Sequence, residues 1–323
     1  MHTLRIGIVG YGNLARGIEL AAAQQDDIEL VAVFSRRNGV KSESGTPVYR
    51  MDELDSFVDK IDVLMLCGGS ANDLMAQARD IGAKFHIVDS FDTHAKIEDH
   101  FTELNAVSKA AGKVSLISVG WDPGLFSLQR LYGETVLPHG KNYTFWGRGI
   151  SQGHSNAIRR IPGVADAKQY TVPKEEYLDR CRGGEQADIR ADESHLRECY
   201  VVLEDGADAA SVEHAIKTMP DYFVGYETVV HFVSQETLDR DHAGMPHGGF
   251  VLRVGETRPE ETSVIEYSLK LDSNPSFTAS VLVAYARALM RLAAHGATGC
   301  FTVFDIPPAY LSPKAPKDLR KLL

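Results

Sequence analysis

The chain has 323 residues, a 44% hydrophobic composition, and a formal net charge of −10 from 34 basic and 44 acidic side chains. That length provides core for two domains, and the acidic balance argues against nucleic acid or an anionic membrane as the main partner. No apolar run approaches the ~18 residues that span a bilayer. The N-terminus runs straight into a strand, so no signal peptide is expected. The cysteines (Cys67, Cys181, Cys199 and Cys300) show no CxxC or zinc-like spacing, which fits free thiols in a cytoplasmic protein and no metal site.

The first element is the apolar run Leu4-Arg5-Ile6-Gly7-Ile8-Val9, suited to a buried parallel strand. Gly10-Tyr11-Gly12-Asn13-Leu14-Ala15 follows, and then Leu14, Ile18 and Ala22 recur at helical spacing. Strand, GxGxxA turn and helix form a dinucleotide fingerprint. Gly10 permits the turn, Gly12 lets the backbone approach a pyrophosphate, and Ala15 lets the helix pack on the strand. The free amides at the helix start then face the phosphates. A plain strand-to-helix turn is the competing account of the same string.

The second strand, residues 28–34, ends at Ser35-Arg36-Arg37, where an NAD enzyme usually carries an acidic residue for the ribose hydroxyls. A carboxylate repels a 2′-phosphate, whereas a hydroxyl and guanidinium groups bind it through charge-assisted hydrogen bonds. The expectation is NADP(H) rather than NAD(H), against the alternative of a solvated basic loop.

Strand and helix then alternate: a short helix at 51–60, a strand at 61–67, a helix at 71–81, a strand at 85–89, a helix at 93–111 and a strand at 114–118. This βαβ rhythm predicts an α/β fold with an N-terminal Rossmann domain, a doubly wound parallel sheet over residues 1–120. Ligands collect at the carboxyl ends of such strands, which brings Cys67, Gly68, Ser70, Ala71, Asp89 and Phe91 beside the cofactor. Asp92 and Asp122 sit on the last two strand-end loops. Asp92 is an N-cap for the following helix or a site carboxylate, and Asp122 is an Asp-Pro-Gly turn or a site carboxylate. Together at neighbouring strand ends they favour binding a cationic amine or proton transfer.

From about residue 142 the rhythm changes. Strands are expected at 142–146, 168–172, 196–203, 226–233, 249–254 and 264–271, giving an α+β domain with an open mixed sheet over 121–274. That domain would supply substrate contacts and a dimer surface. A long helix at 277–295, with Val281, Tyr285, Leu289 and Leu292 on one face, is expected to pack back on the first domain with the rest of 275–323. Within 146–154 a glycine-rich loop joins an aromatic wall to polar side chains. Arg197 lies inside a strand, where it is a solvent-face residue or a carboxylate clamp. His247 sits on a Met-Pro-His-Gly-Gly turn, and Asn274 precedes the long helix.

The fingerprint, Phe34-Ser35-Arg36-Arg37, the Trp121-Asp122-Pro123-Gly124 turn, MPDYFVGYE at 219–227, GMPHGG at 244–249 and residues 274–280 together resemble the meso-diaminopimelate dehydrogenase family. The matching segments span nearly the whole chain. The resemblance implies NADP-dependent oxidative deamination of meso-2,6-diaminopimelate at its D-centre, and reductive fixation of ammonia in reverse, in lysine biosynthesis. It implies that Asp92 and Asp122 hold the reacting amine and that Trp146, Gln152 and Gly153 shape the pocket. Thr171, Arg197, His247 and Asn274 would grip the distal L-centre. It further implies a homodimer. Which aspartate handles protons stays open, as do another NADP-dependent amino-acid oxidoreductase and a non-catalytic NADP(H) sensor. Domain closure is expected, since cofactor and distal contacts fall on different domains.

Overall fold

The computed structural model describes residues 3–69 and 73–323. Its strands are β1 Leu4–Val9, β2 Ile28–Ser35, β3 Val48–Arg50, β4 Val63–Leu66, β5 His86–Asp89, β6 Val114–Leu116, β7 Gly140–Trp146, β8 Gly149–Ile150, β9 Val164–Pro173, β10 His195–Leu203, β11 Glu227–Phe232, β12 His247–Arg258, β13 Glu261–Leu271 and β14 Gly299–Phe301. The chain forms two compact units, Met1–Leu128 with Pro275–Leu323, and Gln129–Asn274. The first break falls inside the helix Leu125–Val136.

The first unit holds a seven-stranded sheet in the order β14-β6-β5-β4-β1-β2-β3. Every pairing is parallel. Successive strand residues point to opposite faces, and both faces are buried. Ile6, Ile8, Met65 and Val88 enter one apolar cluster, while Val9, Leu64, Leu66 and Ile87 enter a second. Burial on both sides is why these strands read as continuous apolar runs. Two strands escaped the sequence reading. β3 and β14 are three residues each and carry no period. The helix expected at 93–111 begins with a 3-10 turn, His94–Lys96, before the α-helix Ile97–Ala111.

The helix Asn274–Ala294 packs in the same unit, with Leu282, Tyr285, Ala286 and Leu289 buried among Ile6, Ile8 and Ile18. It corrects the expectation that nothing approaches a membrane span. By length and composition alone this helix is apolar enough to cross a bilayer, yet 56% of its most apolar window is buried inside the fold. Polar interruptions such as Ser280 and Arg287 break the run without lowering its mean hydropathy enough. Its buried Arg287 is paired with Asp27, Nε to Oδ2 at 2.6 Å. The helix is a core element.

The second unit divides its strands between two sheets rather than forming the single open sheet expected. One has the order β11-β10-β9-β8 and the other β13-β12-β7. The first is mixed, because β10 pairs antiparallel with β9 and parallel with β11. The second is antiparallel throughout.

Candidate active site

In the first unit the glycine turn opens a cleft of about 330 Å³ lined by Gly10, Tyr11, Gly12, Ser35, Arg36 and Arg37. Gly10 has φ +87°, the left-handed region that glycine enters without strain. Gly12 caps the helix Asn13–Ala22 from extended backbone, and a Cβ there would meet nothing within 4 Å. Packing therefore does not account for that glycine, and bare backbone at a helix N-terminus fits an approaching phosphate. Close helix packing is instead at Gly17, where a Cβ would lie 2.9 Å from Ala279 Cβ and 3.0 Å from the Pro275 carbonyl. Ala15, assigned that packing role from the string, is buried among core residues.

The 2′-phosphate candidates are held in place by their own bonds. Ser35 Oγ accepts from the Arg37 amide at 3.1 Å, and the Arg37 guanidinium donates to the Tyr11 carbonyl. Arg36 reaches Asp73 with two bonds, 3.2 and 2.5 Å, and holds that carboxyl below the usual carboxylate range. The sequence carried no signal for Asp73. Two of the expected cofactor residues also have side-chain partners within the protein. Tyr11 turns its ring inward, its hydroxyl donating to buried Glu19 at 2.9 Å, and Leu14 packs against the core. Tyr11 also lines the cleft. Glu19 also receives the Ser42 hydroxyl, the Ser44 hydroxyl at 3.0 Å and the Glu43 amide at 3.2 Å, pinning the loop beyond Arg37. Asn13 is exposed at the helix start. Cys67 and Gly68 line the cleft, and burial pushes the Cys67 thiol up. Ser70 and Ala71 lie outside the described residues.

At the next strand ends, Asp92 is exposed and Asp122 half-buried. Asp89 and Phe91, expected beside the cofactor, are fully buried. The Asp89 carboxylate is engaged internally, accepting from the Phe91 and Ser118 amides at 3.0 Å each and facing His100 Nε2 at 2.8 Å. The Phe91 ring lies against His100, with centroids 4.6 Å apart. Both side chains face the interior of the unit.

The second unit joins its candidates through contiguous contacts. Arg197 on β10 donates to Thr171 Oγ1 on β9, and its guanidinium lies 4.0 Å from the Tyr226 ring. It is 9% exposed, burial pulls its pKa down, and its Nε finds no hydrogen-bond partner among the described residues. A buried, partly unsatisfied guanidinium is built for an anion. Thr171 faces Gly149 in register, and the His247 ring covers Gly149, where a Cβ would fall 2.4 Å from it. His247 Nδ1 lies 2.9 Å from the Gly248 amide, which donates to it. Gln152 Nε2 reaches Met245 Sδ at 3.2 Å, and the Asn274 amide donates to the Met245 carbonyl at 3.0 Å. Beside Gln152, a Cβ on Gly153 would meet open space. Trp146 ends β7, and its amide donates to His195 Nε2 at 2.9 Å. Burial pushes His195 down to about 4, so the ring is a neutral acceptor. Sequence reasoning passed over both His195 and Gln169, the latter fully buried with an amide lacking any partner among the described residues.

A family model described as the diaminopimelic acid dehydrogenase C-terminal domain matches residues 120–273. Meso-diaminopimelate D-dehydrogenase of Ureibacillus thermosphaericus is 58% identical over all of both chains. Among solved structures, C. glutamicum DAP dehydrogenase in complex with DAP superposes with a TM-score of 0.92 at 46% identity, covering 99% of each chain. An engineered D-amino acid dehydrogenase bound to NADP+ superposes at 0.86 and 45% identity, again covering 99% of each. With 58% identity to one such enzyme over the whole of both chains and a shared fold along its full length, the chain belongs to the meso-diaminopimelate D-dehydrogenase family.

Proposed function

We propose that this chain catalyses the NADP-dependent oxidative deamination of meso-2,6-diaminopimelate at its D-configured carbon, and the reverse fixation of ammonia. Loss of hydride leaves an iminium on the substrate that water hydrolyses, so the products are L-2-amino-6-oxopimelate, ammonia, NADPH and a proton. The observation that carries this reading is Arg197, a buried guanidinium seated on Thr171 whose Nε has no hydrogen-bond partner among the described residues. A diamino diacid supplies the carboxylate such a group needs, and its second end supplies the amine. NADP, when bound, takes the hydride from the carbon bearing that amine. Gly10, Gly12 and the amides of Asn13 and Leu14 would hold its pyrophosphate, with Ser35, Arg36 and Arg37 on the 2′-phosphate.

The chain's own residues then have defined work. Asp92 and Asp122 hold the reacting ammonium, and one of them takes a proton so that the amine is neutral before its carbon gives up hydride. Trp146, Gln152 and Gly153 shape the pocket wall. Thr171, Arg197, His247 and Asn274 hold the distal end and fix which of two similar ends reacts. All four cysteines are free thiols, which suits a reducing cytoplasm. A homodimer accords with the apolar side chains Val229, Phe232, Val264 and Ile265 exposed on strands of the second unit. Meso-diaminopimelate and NADP+ should together produce the absorbance of reduced nicotinamide. Absence of that signal with this substrate, but its presence with another amino acid, overturns the assignment. Asp122→Asn is expected to lower kcat, and near-normal turnover would remove Asp122 from proton transfer.

A further inference from the structure

We propose that Asp89, backed by His100, is the positioning residue that holds the two aspartate-bearing loops in one fixed arrangement. The inference rests on the reading of Asp92 and Asp122 as the amine site. Asp89 ends β5, and its Oδ1 accepts two main-chain amides at 3.0 Å: Phe91, next to Asp92 on its own loop, and Ser118, on the loop beyond β6 that leads to Asp122. Its carbonyl also takes the Val119 amide at 2.9 Å. One residue therefore ties both loops through three hydrogen bonds.

The remaining oxygen is claimed from below. His100 Nε2 stands 2.8 Å from Oδ2, within hydrogen-bond reach. Both side chains are shielded, at 0% and 1% exposure, and His100 sits on the helix Ile97–Ala111. Bonds out of reach of water hold a geometry far better than exposed ones. Ser118 carries the sign that this geometry is imposed. It is a non-glycine residue at φ +55°, and its buried Oγ has no partner among the described residues. Such a conformation is strained for a non-glycine residue and persists only where its surroundings over-determine it. The bond from its amide to Asp89 is the restraint visible there. The residues that touch substrate are thus placed by one that does not, and displacement of about 1 Å at a reacting centre lowers rate by up to about 100-fold.

Asp89→Ala removes the acceptor, while Asp89→Asn keeps one oxygen able to receive both amides. The alanine variant should lose about 30- to 100-fold in kcat/KM for meso-diaminopimelate. Its acidic limb should shift by half a pH unit or more, because the two aspartates change their spacing. Affinity for NADP+, read by fluorescence titration, should stay within about threefold. The asparagine variant should recover most of the rate and the unshifted limb. Hydrogen exchange at the Phe91 and Ser118 amides should accelerate in the alanine variant and not in the asparagine variant. His100→Gln retains the carboxylate and both amide bonds in a chain expected to keep its core. It should show the same pattern at about a tenth of the size. Wild-type rate and profile in folded Asp89→Ala, or an asparagine variant no better than alanine, overturns the proposal. Should Asp89→Ala fail to fold, a wild-type rate and profile in His100→Gln overturns it instead. Asp92→Asn and Asp122→Asn run alongside. If both turn over normally, the amine-site reading falls, and the exchange data report on the loop tie separately.

Discussion

Three side chains at the nucleotide end and one at the substrate end carry sharp expectations. Arg36→Ala with Arg37→Ala should weaken NADP+ binding at least tenfold and leave NAD+ binding nearly unchanged, since only the former carries the 2′-phosphate. Equal losses for both would end that assignment. Asp73 opposes the phosphate, because its carboxylate already occupies both arms of Arg36. Asp73→Asn should tighten NADP+ about two- to fivefold relative to NAD+, measured by isothermal titration. Arg197→Ala should raise KM for meso-diaminopimelate about ten- to a hundredfold, the size of a lost charge-assisted contact, with kcat falling less. The sequence exposed Arg36, Arg37 and Arg197 because charge at a strand end or inside a strand stands out. It hid Asp73, which is distant along the chain, and misread Asp89, whose polar side chain turns inward onto main-chain amides.

Two glycines on one element show how far a motif reaches. Gly12 caps a helix and Gly17 lies within it, yet Gly12 borders open space and Gly17 touches the helix Asn274–Ala294. Gly12→Ala should leave the melting temperature nearly unchanged and weaken NADP+ at least tenfold. Gly17→Ala should cost about 1–3 kcal/mol of stability by overpacking, with cofactor affinity intact. An opposite split would reverse the two roles. Between strands, His195 couples β10 to the end of β7 as a neutral acceptor. Its folded pKa, about 4, lies below the ordinary 6.5. The unfolded chain therefore binds a proton first, and the stability His195 contributes is complete above pH 6.5 and lost as pH falls towards 4. His195→Gln should flatten denaturant-derived stability across that window. The strands were legible where apolar periodicity ran long, as in β1 and β2. β3 and β14, three residues each, take their strand character from the neighbour they extend.

At the scale of the molecule, the last segment of the chain completes the first unit. Arg287 bonds Asp27 at 2.6 and 2.7 Å, Gln25 Oε1 at 2.9 Å and the Leu311 carbonyl at 2.8 Å. Arg287→Met leaves Asp27 without its buried partner and should cost about 3 kcal/mol in chemical denaturation. The Arg287 guanidinium holds the Asp27 carboxyl below its usual 3.8. A depressed carboxyl stabilises above its unfolded pKa and loses that contribution as pH falls through the folded one. The gap between wild type and Arg287→Met should therefore hold at neutral pH and shrink only below about pH 3.8. By itself the sequence determined the parallel α/β unit, the dinucleotide turn, the basic end of β2 and the family, because all of these are local strings or short-range periodicities. Tertiary structure alone decided that the second unit has two sheets, that Gly17 bears on the helix Asn274–Ala294, and that Asp89 faces inward. Each of those depends on which surfaces meet across long separations in the chain, and local propensity carries no record of that.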